Sequence, residues 1–159
     1  MYIQQSDLFW GMDKDFVKAI MEIAEKQSCG KGDYLFHKGD TAAVFYILLT
    51  GRVKLMIGEA GQVTYTVDHA GEAFGWSSLV GLESYSASAA CTEATTLRKF
   101  GREKILGVLE SDTANGLLFY KRLAGIIGNR LLWSYKMMTV STGSPSFGSE
   151  QVESSEAAV

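Results

Sequence analysis

The chain has 159 residues, 47% hydrophobic and 21% charged, which is enough for one domain with a core of its own. Its formal net charge is −3, and residues 140–159 hold Glu150, Glu153 and Glu156 with no Lys or Arg, so the rest is neutral and offers no basic field for nucleic acid. No apolar run approaches the roughly 18 residues of a membrane span, which speaks against a membrane partner.

Residues 7–27 read as a helix. Phe16, Ile20, Ile23 and Gln27 keep a spacing of three or four, and Val17, Met21 and Ala24 widen the apolar face. Ser6 or Asp7 can cap its start, and Gly30 and Gly32 break the pattern. The opening "MYIQQSDLFW" lacks the basic-then-apolar order of a signal peptide. Cys29 and Cys91 suit buried free thiols in a reducing cytoplasm, with a disulfide or a reactive thiol as the alternatives. The expected location is cytoplasmic.

From about 33 to 100 the period changes to two. Val53, Leu55 and Ile57 alternate with Arg52, Lys54 and Met56, and Val63, Tyr65 and Val67 alternate with Gln62, Thr64 and Thr66. Glu59-Ala60-Gly61 between them reads as a hairpin turn. "AVFYILLTG" (43–51) is continuously apolar, the pattern of a strand buried on both faces. "YSASAAC" and "TTLRKF" add two short strands, and the whole series suggests a sandwich or barrel. A short helix follows over 101–110, then a long one from about Thr113 to Met138, capped by Asp112 or Thr113. Tyr120, Ala124, Ile127, Leu131, Ser134 and Met138 keep the four-three spacing of a coiled-coil seam. Such a seam predicts a homodimer through a helix at about 113–139, against the simpler reading of a helix packed on its own sheet. From 140 on, the Ser-, Gly- and Glu-rich stretch reads as a disordered acidic tail (140–159), leaving 1–139 as one domain.

The order of turn glycines carries a resemblance. "GDYLFHKGD", "VFYILLTGRVKLM" and "GEAFG" place Gly32, Asp33, Gly39, Asp40, Tyr46, Gly51, Gly71 and Gly75 as they fall in the cyclic-nucleotide-binding domain family, and roughly residues 8–138 resemble it. The resemblance implies a mainly β fold: a jelly-roll β-barrel (double-stranded β-helix) with an N-terminal helix and a long C-terminal helix. It also implies a phosphate-binding cassette over Gly71–Ala89. In that family a Glu follows the Phe-Gly pair and binds the ribose, and an Arg further on, ahead of a small polar residue and Ala, pairs with the cyclic phosphate. Here Phe74-Gly75 is followed by Trp76, and the Arg position reads Tyr85-Ser86-Ala87.

What remains is backbone and hydroxyls. A short helix over about 76–80 would aim free N–H groups into the pocket, and Ser77, Ser78, Ser86 and Ser88 add hydroxyls, although turn chemistry explains serines equally well. Hydrogen bonds to charged groups contribute roughly 1.5–3 kcal/mol each, so losing two costs about 3–6 kcal/mol, or two to four decades in affinity. Trp76 and Tyr85 either fill the space of sugar and phosphate, stack on a flat ligand, or pack in the core. Ser134 and Tyr135 fall where the family's long helix meets the base.

His37 and His69 are the only histidines, and neither has a second histidine or a cysteine at metal-ligand spacing; two cysteines are too few for an iron–sulfur cluster, and a haem on either histidine is a minor alternative. No nucleophile–base pair or phosphate-loop motif suggests an enzyme. Bacterial regulators that resemble this chain continue into a helix-turn-helix. About twenty polar residues follow Met138, too few for that module, so no DNA binding by this chain alone is expected. Two functions remain. One is a ligand-sensing regulatory module for signal transduction, binding cyclic AMP weakly or another small anionic ligand at Phe74, Gly75, Trp76, Ser77, Ser78, Tyr85, Ser86, Ala87, Ser134 and Tyr135. The other is a degenerate dimerisation or scaffold module with a self-filled pocket and a possible protein partner. No other cofactor and no metal are expected.

Overall fold

Residues 6–60 and 63–141 are described by the computed structural model. In chain order it has α1 (Lys14–Ile23), β1 (Glu25–Cys29), β2 (Tyr34–Phe36), β3 (Val44–Thr50), β4 (Val53–Ile57), β5 (Val63–Val67) and β6 (Ala73–Phe74). A single 3-10 turn (Trp76–Ser78), β7 (Ala87–Cys91), β8 (Thr95–Gly101), α2 (Arg102–Ser111) and α3 (Thr113–Ser141) complete it. Two four-stranded antiparallel sheets, ordered β1-β8-β3-β6 and β2-β7-β4-β5, form the jelly roll. The flanking helices are those the sequence suggests, with different bounds.

Period two decides which side chains meet. On β3, Phe45 and Ile47 face the helices, while Tyr46 and Leu48 face the space between the sheets. Both faces are buried, as the unbroken apolar run predicts. The helix-side core joins Phe16, Val17 and Ile20 of α1 to Ile105, Phe119 and Leu123 of α2 and α3; the inter-sheet core holds Phe36, Val53, Val67, Phe74, Tyr85 and Leu97. The β4–β5 ladder runs from Val53↔Val67 to Ile57↔Val63, in register for the expected hairpin, whose Gly61 lies outside the described residues. At Gly51, φ is 94°, and a Cβ would stand 2.5 Å from the Ala94 carbonyl oxygen, so only glycine fits.

The first helix is shorter than its periodicity predicts. Residues 7–11 form turns that bury Leu8 and Phe9 without continuing a helix, and Gly11 sits at φ 69°. The N-cap is therefore Asp13, not Ser6 or Asp7. At the other end Gln27 belongs to β1, whose polar sequence EKQSC is recruited by pairing with β8 from Glu25↔Lys99 to Cys29↔Thr95. Such non-local hydrogen bonds leave no periodic trace. At the start of α3 the Asn115 N–H donates to Asp112 Oδ1 at 3.1 Å, so Asp112 caps it. The helix runs on to Ser141, two residues into the tail expected from 140, and the rest of that tail lies outside the described residues.

Candidate functional site

The loop after β6 folds as a cassette around Gly75, which takes φ 76° and whose Cβ position lies 3.0 Å from the Val44 carbonyl oxygen. The helix expected over 76–80 is one 3-10 turn, too short to build a helix dipole at the pocket. Phe74 is fully buried and stacks on Tyr46 at 5.1 Å. Tyr85, at the family's Arg position, turns inward: it is 4% exposed and stacks on Phe36 at 3.7 Å. Its hydroxyl donates to the Val44 carbonyl at 2.6 Å and accepts from the Val44 N–H at 3.0 Å. Burial raises its pKa. Ser77 and Ser78 are buried, and the Ser78 hydroxyl donates to the Gly75 carbonyl. Ser88 accepts the Lys38 N–H. A recess of about 30 Å³ is left beside Gly75, Ser77, Tyr85 and Ala87, far less than a cyclic phosphate and ribose occupy.

A larger cavity, about 260 Å³, opens next to it under α3. Leu55 and Ile57 of β4 and Tyr65 of β5 form its floor, Trp76, Ser86 and Ala87 one wall, and Ile127, Arg130, Leu131, Trp133 and Ser134 of α3 its roof. Of the ten residues assigned to ligand from sequence, the structure thus brings Trp76, Ser86, Ala87 and Ser134 to this cavity. Gly75, Ser77 and Tyr85 line the small recess, Phe74 and Ser78 are in the protein interior, and Tyr135 is half exposed on α3 away from both.

The loop 71–89 has no Lys or Arg, and Arg130 of the long helix brings a cation to the lining of this cavity. Its Nη2 donates to Glu72 Oε1 at 3.3 Å and to the Ala73 carbonyl, and the guanidinium lies over the Tyr65 ring, 4.8 Å from its centre. Nε and Nη1 are buried with no acceptor among the described residues. Glu72 also accepts from the Tyr65 hydroxyl at 2.7 Å and from the N–H groups of Asp68 and His69. Burial, then the Glu72 carboxylate, pushes the Tyr65 phenol up. Trp133 packs edge-on against Tyr65 at 5.2 Å. Beyond Arg130 a second cavity of about 460 Å³ opens between α3 and the 69–73 turn. Beside it the side-chain ligand atoms of Asp68, His69 and Glu72 lie within 4.8 Å of one another, held by the Glu72 bonds just named and by a 2.8 Å contact between His69 Nδ1 and Asp68 Oδ1.

The sequence carries a signal for Arg130 that the loop motif does not include. Ile127, Arg130, Leu131 and Ser134 share one face at spacings of three and four, and a lone arginine on a largely apolar face marks a buried partner. The same face divides the coiled-coil seam. Tyr120 donates its hydroxyl to the Leu79 carbonyl, and Tyr120 and Ile127 pack on the helix-side core, while Ser134 roofs the cavity. Ala124, Leu131 and Met138 are exposed, and Leu117 extends their spacing of seven toward the N-terminus.

Residues 26–112 match the family model described as cyclic nucleotide-binding domain. The chain is similar to the cyclic AMP receptor protein of Thermus thermophilus, with 29% identity over 106 residues, covering 65% of this chain and 49% of that relative. It thus spans about half the length of the curated relative it matches. Among solved structures, the catabolite activator protein of Thermus thermophilus superposes with a TM-score of 0.67 at 26% identity, over 85% of this chain and 62% of that one. A cyclic nucleotide-binding domain from Methylobacillus flagellatus superposes with a TM-score of 0.75 at 19% identity, over 91% and 83%, a likeness of fold alone. With more than half of its length matched by the family model, the chain belongs to the cyclic nucleotide-binding domain family.

Proposed function

We propose that this domain is a non-enzymatic sensor whose small ligand sits in the cavity under α3, with α3 as the element that reports occupancy. The observation that carries the reading is the division of the site. The phosphate end of the cassette is closed by Tyr85, whereas about 260 Å³ stays open between β4, Trp76 and α3. Five roof residues belong to α3, so a ligand there contacts the helix directly, and a helix position that improves those contacts gains population when the ligand binds. Tyr120 ties the same helix to the cassette through Leu79. The exposed Leu117, Ala124 and Leu131 support assembly of two such helices into a homodimer. Cyclic AMP, the ligand named for the Thermus relative, is expected to bind weakly here because both charged contacts of the cassette are replaced.

Calorimetry with cyclic AMP, cyclic GMP and cyclic dinucleotides, alongside native mass spectrometry for a co-purified ligand, tests this. The expected result is weak cyclic AMP binding that disappears when Ala87→Trp fills the cavity. Micromolar or tighter cyclic AMP binding that survives Ala87→Trp would refute the placement.

A further inference from the structure

Among the described residues, Arg130 is the single Lys or Arg lining the two cavities, and the loop 71–89 has none. A guanidinium carries five N–H donors. The bonds found use Nη2, and Nε and Nη1 are buried without an acceptor among the described residues. Buried donors left unmade are costly, and an acceptor delivered to them recovers that cost. Glu72 does not depend on Arg130 for its own satisfaction, because it keeps the Tyr65 hydroxyl and two backbone N–H groups. The guanidinium can therefore exchange this carboxylate for another while Glu72 keeps three hydrogen bonds. Among the remaining walls, Leu55, Ile57, Trp76, Ile127 and Leu131 are apolar and suit a hydrophobic or flat body, with the hydroxyl-bearing Ser86 and Ser134 beside them.

Resting on the site proposed above, we infer that the ligand is an organic anion with an apolar or aromatic body, its charged end paired with Arg130 on α3. Its polarity is reversed relative to a phosphate seated in the cassette: the charge meets the long helix and the body meets the β-roll. Arg130 then exchanges Glu72 for the ligand, so occupancy acts directly on the tie between α3 and the 72–73 segment.

Matched probes test this: 2-naphthoate and its neutral isostere 2-naphthamide, titrated by calorimetry. Wild type is expected to prefer the naphthoate by at least about tenfold, the worth of one charge-assisted hydrogen bond. Glu72→Gln, which removes the competing carboxylate, should raise naphthoate affinity and leave the amide unchanged. Arg130→Gln leaves Glu72 without its cation, so the preference is also read in the double variant Glu72→Gln plus Arg130→Gln, where it should vanish. Equal affinities in wild type, or a preference that survives loss of Arg130, overturns the inference. If the amide still binds and Ala87→Trp abolishes it, the cavity reading stands without the anion. Binding of neither probe overturns both.

Discussion

Tyr85→Phe isolates the feature that closes the cassette. It removes one oxygen, leaves the ring on Phe36, and strips the Val44 N–H and carbonyl of a partner at 3.0 and 2.6 Å. Val44 is half-buried, so water can replace part of what is lost, and a destabilisation of about 1–3 kcal/mol follows. Tyr85→Ala removes the ring as well, which at 4% exposure costs about 3–5 kcal/mol. Urea unfolding at neutral pH reads both, with the slope checked so that midpoints compare like with like. The same geometry sets the outcome of rebuilding the family's charged pair as Trp76→Glu with Tyr85→Arg. The sequence alone predicts tighter cyclic AMP binding. The structure predicts a guanidinium forced out of water into the slot between Phe36 and Val44, hence lost stability without a gain in affinity. If Tyr85→Phe and Tyr85→Ala both fall within about 0.5 kcal/mol of wild type, the range of an ordinary surface change, then Tyr85 does not plug the cassette.

Replacing Leu117 and Ala124 by Glu should convert a dimer to a monomer in light scattering while the far-ultraviolet spectrum is kept, because both side chains are exposed; a wild-type monomer at high micromolar concentration would remove the assembly proposal. Alkaline pH should destabilise the fold. Burial, then the neighbouring Cys29, pushes the Cys91 thiol from its ordinary 9.0 up to about 11, and burial raises Tyr46, Tyr65, Tyr85 and Tyr120 as well. The unfolded chain therefore loses these protons first, and stability falls as pH rises above 9.0 and again above 10.0. Urea midpoints across pH 8 to 11 should fall, less so at the first step in Cys91→Ala; a flat profile contradicts this. Gly51→Ala combines a φ of 94° with a Cβ 2.5 Å from backbone, so a loss above about 3 kcal/mol is expected, and a melting point within two degrees of wild type would refute the tight-turn account.

Local chemistry made most of the fold legible in the sequence. Alternation on β4 and β5, the apolar run of β3 and the cap at Asp112 are each set by neighbours a few residues away, where period and turn chemistry act. The same locality showed that Trp76 and Tyr85 replace the cassette's charged pair. What Tyr85 does instead was decided in three dimensions, because Phe36 and Val44 reach it from other strands. The first three residues of β1 read as the end of a helix because its polar residues take their conformation from hydrogen bonds to β8, about seventy positions away. The seam on α3 kept a correct period but not a single face, since four-three spacing cannot say which side meets the protein's own β-roll. The order of residues in the loop 71–89 shows no Lys or Arg. Tertiary packing brings a cation to the neighbouring cavity from α3, where Arg130, 58 residues along the chain from Glu72, is set beside it by the docking of a helix on a sheet edge.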